Sequence, residues 1–338
     1  MPTANSWDYL PRANCYTRNV SHTKIQARFA SVVTAVLLSA LLAGKLAEMN
    51  ASSLAAASHS SSSQDSPSPI ELVRAAVANE IAAANDTSIK HMFRSRKQNP
   101  QGSQTRLYAE TRDAIVGMTI AYNDKPLTPE QQQGEEGHLA GLVGNPELLR
   151  RKHAQEQDSA ARTLRIVKAL PDAFLYDYDG EEPGTADLGK DGARLLRLKF
   201  RPNPAYEAPS HVEDVLAGMQ GVVLIDAVAH RIARIDGTLF KEVSFGWGIL
   251  GHLDKGGHFL IEQRDVGDGS WGVSRMTLSF NGRILLFKTI AVKSDEVFSD
   301  FRRVPAETTF AQGVELLKLE QAKPAGNRQP EAEPSNPK

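Results

Sequence analysis

The chain has almost no cysteine. Cys15 is the single one among 338 residues, and it precedes the one long apolar run. The region behind that run therefore has no disulfide, no thiol nucleophile and no cysteine metal site. Cys15 is also excluded as a lipid-attachment cysteine, because such a residue would have to follow the apolar segment. A basic excess is missing too. Lys and Arg number 39 against 40 Asp and Glu, a formal charge of −1, which argues against nucleic acid as a partner. No uncharged apolar run reaches the roughly 20 residues of a standard membrane span. No nucleophile elbow of the G-x-S-x-G type occurs, so acyl-transfer chemistry has no sequence signature here.

What the N-terminus does have is Phe29–Ala43, an uncharged apolar run of 15 residues behind Arg18, Lys24 and Arg28. Basic residues followed by such a run read as a secretory signal, and Ala55-Ala56-Ala57 supplies a small-x-small cleavage site. The competing reading keeps residues 29–44 as an inner-membrane anchor. Residues 1–57 are thus expected to be signal or anchor, 58–68 a Ser/Ala-rich flexible linker, and 321–338 a disordered tail dense in Pro, Glu, Asn and Lys. That leaves residues 69–320 as a single folded domain.

The domain is organised around Gln220–Val297, where six apolar-rich runs follow one another across short turns. Alternation is cleanest in Ser274–Phe280, with Met276, Leu278 and Phe280 on one face and Arg275, Thr277 and Ser279 on the other. Lys255-Gly256-Gly257, Gly267-Asp268-Gly269 and Asn281-Gly282 read as hairpin turns. Connections this short pair strands antiparallel, since a parallel crossover needs a dozen or more residues. Upstream, Ser68-Pro69-Ile70-Glu71 is a capping box opening a helix over 69–84, with Ile70, Val73, Val77 and Ile81 as its buried stripe. Three strands follow, near Ile89–Arg96, Thr105–Thr111 and Ala114–Asn123. Thr128-Pro129 and Asn145-Pro146 each start a helix, giving a hairpin over 129–169 that Pro171 should stop. Between Arg150 and Arg162 the second of these helices has no apolar residue larger than alanine. It is expected to project into solvent or across an opening. Phe310, Val314 and Leu317 suggest a last helix, interrupted by Gly313.

The fold class expected is α+β: a curved antiparallel sheet of about nine to eleven strands, an incomplete β-barrel, with helices over its concave face and the helical hairpin inserted. The glycines of SFGWGILG (Gly246, Gly248, Gly251) lie between strands and fit curvature better than a phosphate loop, which needs a helix after it.

In this order of elements the chain resembles the LolA/LolB-type lipoprotein-carrier family. The residues carrying the resemblance are Val222–Leu239 (VVLIDAVAHRIARIDGTL) and the strands after it. The segment GTLFKEVSFGWGILGHLDKGGHF is similar to uncharacterised bacterial envelope proteins loosely described as lipoprotein-sorting-like. The resemblance implies an exported protein, periplasmic or in the cell envelope, with an apolar cavity for a lipid or lipoprotein acyl chain. It transfers no functional residue, and the hairpin at 129–169 departs from the carriers.

Several side chains invite chemistry. His252, Asp254 and His258 flank the Lys255-Gly256-Gly257 turn and could converge on a metal, but no fourth ligand is evident and a solvated hairpin tip is the favoured reading. Asp265, Asp268, Asp295 and Glu296 lie near turns, and nothing in the sequence brings two of them across a cleft. No catalytic residue, metal or cofactor is therefore assigned. The aromatics Phe245, Trp247, Phe259, Trp271 and Phe287 are the candidate ligand-binding residues, as lining of an apolar pocket. The function expected is that of a non-catalytic envelope protein binding an acyl chain. The alternatives are a structural adaptor with a cell-envelope protein partner, or a periplasmic hydrolase using the Asp254–Asp268 hairpins.

Overall fold

The structure, a computed structural model, describes residues 67–210, 213–245, 251–284 and 288–323. Residues 1–57, expected to be signal or anchor, and nearly all of the expected linker and tail lie outside the described residues. Helix α1 (Pro69–Asn85) leads to strands β1 (Lys90–Asn99), β2 (Gly102–Ala109), β3 (Val116–Tyr122) and the two-residue β4 (Lys125–Pro126). The helical hairpin follows as α2 (Pro129–Val143) and α3 (Pro146–Ala173). Then come β5 (Phe174–Pro183), β6 (Arg194–Pro202), a 3-10 turn (Asp214–Gly218), β7 (Met219–Asp226) and β8 (Ile232–Leu239). The chain continues as β9 (Val243–Phe245), β10 (Gly251–Leu253), β11 (His258–Asp265), β12 (Trp271–Ile284), β13 (Lys288–Val304) and α4 (Phe310–Gln321).

All strands join one open antiparallel sheet in the order β4-β3-β2-β1-β13-β12-β11-β8-β7-β6-β5, with β9 and β10 branching from β12. Thirteen strands exceed the nine to eleven expected, because β4, β9 and β10 are pieces of two or three residues too short to show a period. Register assigns the faces. Leu198 pairs with Val223, Val223 with Ile235, Ile235 with Ile261, and Ile261 with Met276. These residues, with Phe93 and Phe298, form the main core on what is here called the inner face. The opposite face over β5–β8, β11 and β12 carries a ladder of charge instead. Arg197 bridges Asp179 (2.8 Å) and Glu182 (2.5 Å), and Arg234 bridges Glu182 (3.3 Å) and Glu262 (2.7 Å). The same face also buries Leu195, Leu224 and Ala233 beneath Leu188 and Trp271, so the charge ladder covers only part of it.

At the β1–β3 end both faces carry a core, since Phe93 and Tyr108 stay on the inner side. Leu107, Ala109, Val116 and Met118 point outward and form a second core with Leu139 of α2 and Phe310, Val314 and Leu317 of α4. The helices are therefore split between faces, rather than all covering the concave one. Gly313 does not interrupt α4. A Cβ there would come within 2.7 Å of Thr111 Cγ2 and 2.8 Å of Val116 Cγ2, so glycine is what lets the helix lie flat on the sheet.

Helix α3 decides the curvature. Its start belongs to the outer core, where Leu149 packs, and Glu156 accepts the Ile115 N–H beside β3 (3.1 Å). Its end runs directly into β5, at the other edge of the sheet. From Glu156 to Phe174 the helix rises about 27 Å, whereas β3 and β5, nine strand spacings apart, would stand about 43 Å apart in a flat sheet. The sheet must curl, and α3 crosses the opening. Pro171 does not stop α3, because its last carbonyls find other donors. The Tyr176 hydroxyl donates to Leu170 O (2.8 Å), Asn203 Nδ2 to Asp172 O (2.9 Å) and Asn203 N–H to Ala173 O (2.9 Å). These donors cap carbonyls of the final turn, which would have no partner at any helix end, and so let the helix run two residues past the proline.

Candidate functional site

Where α1 and the second half of α3 lie on the inner face, they enclose an apolar cavity of about 40 Å³. Val73 comes from α1, and Thr163, Ile166, Val167 and Leu170 come from α3. Phe174, Tyr176 and Phe200 close one side, and Met219, Val223, Ile225, Ile232, Ile235, Phe259 and Ile261 form the floor, with Leu216 of the 3-10 turn at the rim. The α3 stripe arises from the sequence TLRIVKAL, whose apolar positions recur three and four residues apart. The floor comes from three neighbouring strands, β7, β8 and β11, in which alternate residues face inward, with a register shift between β7 and β8 that brings both Ile232 and Ile235 to that face. Gly237 makes room for it: a Cβ there would stand 2.2 Å from the Phe259 ring.

Two polar groups reach the wall, and both are already engaged. Thr163 Oγ1 donates to Ser159 O (3.3 Å), and the Tyr176 hydroxyl makes the bond to Leu170 O described above. Burial pushes the Tyr176 phenol above its ordinary range, so it stays neutral. The cavity thus offers no charge and no spare hydrogen bond. One water needs about 10–15 Å³, so the cavity has room for roughly three. A longer occupant enters only if α1 or α3 moves outward.

One end of α1 is pinned by charge. Glu80, 2% exposed, accepts a bidentate pair from Arg231 (2.7 and 2.9 Å) and the Ile232 N–H (3.1 Å). The buried stripe of α1 is accordingly Leu72, Val73, Ala76, Val77 and Glu80, with Ile70 and Ile81 at its margins. The apolar periodicity missed this rotation because a glutamate does not count as a core residue until its arginine is in place.

Of the five aromatic candidates, Phe259 lines the cavity. Trp271 does not. It sits in a separate cluster with Leu188, Leu195, Leu224 and Ala233, and Arg231 lies over its ring at 5.5 Å. Trp247, Phe287 and the side chain of Phe245 lie outside the described residues. The cavity-lining aromatics that composition did not single out are Phe174, Tyr176 and Phe200. Their signal was present in the alternation Leu196, Leu198, Phe200 and in the run FLY after α3.

The titratable groups fall into separate clusters. His258 turns to Asp236 (2.8 Å), away from His252, which pairs with Asp254 (3.3 Å). Asp268 of the β11–β12 turn meets His91 Nε2 (2.9 Å) and accepts from Ser270 Oγ (2.5 Å). Ser270 Oγ also lies 3.2 Å from that same His91 nitrogen. A Ser–His–acid relay places serine and acid on opposite ring nitrogens, so this trio is not one, and Glu110, the carboxylate on the Nδ1 side, stands 3.9 Å away, beyond hydrogen-bond distance. Asp295 faces outward to Arg275 (2.9 Å), while Glu296 is buried inward against Ser95. The Asp254 and Asp268 hairpins thus contribute to different clusters.

Among the described residues no helix is long and apolar enough to cross a membrane. No protein-family model matches the chain, and no curated protein does. Among solved structures the chain is similar to a DUF1329 family protein from Desulfovibrio piger ATCC 29098, with 10% identity and a TM-score of 0.25, over 70% of this chain and 93% of that one. At that score the likeness transfers no residue role.

Proposed function

We propose that this chain is an exported, non-catalytic envelope protein that holds an acyl chain of a lipid or lipoprotein between α1, α3 and the inner face of its half-barrel. The observation that carries the reading is the cavity wall, apolar on every side and without a free polar group. Each methylene buried there contributes about 0.8 kcal/mol, which can offset the cost of parting the walls. Export rests on Arg18, Lys24, Arg28 and the Phe29–Ala43 run. The Lol-type resemblance of Val222–Leu239 agrees with both.

Native mass spectrometry of the protein purified from the envelope is the test. The expected result is a co-purifying lipid or lipoprotein adduct, lost or strongly reduced in Val223→Phe, which fills the cavity floor. Overpacking of this kind costs about 1–3 kcal/mol, so circular dichroism should still show a folded chain. Val228→Phe, at a position 88% exposed, should retain the adduct. A clean apo mass with no binding of a hydrophobic dye would overturn the reading and leave the adaptor, with the polar face of α3 as its contact surface, or the hydrolase.

A further inference from the structure

The β9–β10 hairpin collects three metal-ligating side chains on one face. His252 is opposite Ser244 and Leu253 opposite Val243 in the ladder, so one step on Asp254 faces Glu242. Val243 and Leu253 turn inward and are buried in the main core. Glu242, His252 and Asp254 turn the other way, and one ligand atom of each lies within 4.8 Å of the other two. His258, the third ligand suggested by the turn sequence, is replaced in this group by Glu242.

From this arrangement we infer that the outer face of the hairpin is a binding site for a first-row divalent transition ion of the Zn²⁺ class. The ligand set is one imidazole nitrogen and two carboxylate oxygens, with water completing the shell. An imidazole among the ligands selects against Mg²⁺ and Ca²⁺, which favour oxygen alone. His252 Nε2 and Asp254 Oδ1 already stand 3.3 Å apart, close to the separation of two ligands on one ion at about 2.0–2.2 Å each. Glu242 is exposed and free to swing its carboxylate toward them, although Ser244 Oγ donates to it at 3.2 Å. The strand neighbour Arg283, also exposed, is the cation the ion would have to displace or tolerate. Bound there, the ion ties β9 to β10 on the face opposite Val243 and Leu253, and so stiffens one corner of the sheet. This proposal is independent of the acyl-chain reading.

The test is a Co²⁺ titration of the full-length protein, followed by visible absorption and then by displacement with Zn²⁺. One saturable site is expected. His252→Ala and Glu242→Gln should each weaken it by more than the roughly 10- to 100-fold typical of second-shell changes. Zn²⁺ should raise the thermal midpoint of the parent and of His258→Ala, but not of His252→Ala, by mass action on the folded state. Because His252 is on the hairpin surface, circular dichroism of His252→Ala should match the parent. Absence of a saturable signal would overturn the site. So would a signal that survives in His252→Ala, or one lost equally in His258→Ala.

Discussion

A carboxylate at 2% exposure is costly unless its partners are in place, and Glu80 has them all. Arg231 takes both oxygens, and Ile232 N–H takes a share of one. Removing a partner from a buried pair costs about 3–5 kcal/mol, whereas replacing both with apolar groups of similar size is often neutral. Glu80→Gln should therefore destabilise the fold by that amount in chemical denaturation, because the Arg231 guanidinium is left buried without a counter-charge. Glu80→Leu combined with Arg231→Met should recover most of the loss. If the double variant is no more stable than the single one, the pair contributes more than mutual neutralisation, and the hydrogen bond to the Ile232 amide is the term that matters.

At the scale of elements, the turn between β11 and β12 is tied to β1 by the bond between Asp268 and His91. Burial alone would raise the Asp268 carboxyl. The hydrogen bonds from Ser270 and His91 outweigh it and hold the group down at about 2. A folded-state value below the unfolded one, about 3.9, contributes stability that is present above pH 4 and lost as pH falls through 2. The gap of nearly two units would correspond to about 2.5 kcal/mol, which solvent screening at this exposed turn residue reduces to about 1 kcal/mol. Asp268→Asn should thus be less stable than the parent by that amount at neutral pH. The difference should shrink toward zero near pH 2 in urea titrations, and a gap constant with pH would show that the carboxylate charge is not what holds the turn. The elements themselves were largely legible in the sequence. Alternation located the longer strands, and the caps at Ser68, Thr128 and Asn145 placed three helix starts. Asn281-Gly282, expected as a hairpin turn, instead lies inside β12, paired with Ala291 and Ile290, and β4, β9 and β10 were too short to show a period. Two further things were not legible. Pro171 reads locally as a stop, and the donors that rescue the last turn, Tyr176 and Asn203, come from later in the chain. Nor does periodicity say which face of a sheet a helix will cover. The outer core at β1–β3 depends on α4 returning from the far end of the chain, and the separation of Trp271 from Phe259 on pairing between strands distant in sequence.

For the molecule as a whole, α3 is a strut. It begins against the outer core at β3, crosses the opening with Arg150, Arg151, Gln155 and Asp158 in solvent, and ends on the inner face at β5. Its polar middle is fastened at one place, where Glu156, paired with Lys152 at 2.7 Å, receives the Ile115 N–H. Glu135 of α2 takes the Thr119 N–H of the same strand at 2.7 Å, so the hairpin also occupies an amide on the part of β3 that the short β4 leaves unpaired, a row that would otherwise invite pairing with another chain. A break in the strut separates its two jobs. Ala160→Pro removes one helical hydrogen bond and drives the proline ring into the carbonyl of Glu156, at a cost of about 3 kcal/mol or more. The strands share no residue with that turn, so the sheet signal in circular dichroism should persist while helix signal falls. Freed from α3, the edges should move apart. The expected observations are a larger radius of gyration in small-angle scattering and stronger binding of a hydrophobic dye to the uncovered inner face. If both stay at the parent values, the curl is built into the strands, through bulges such as those at Met92/Arg94 and Glu262/Gln263, and α3 covers the opening without holding it.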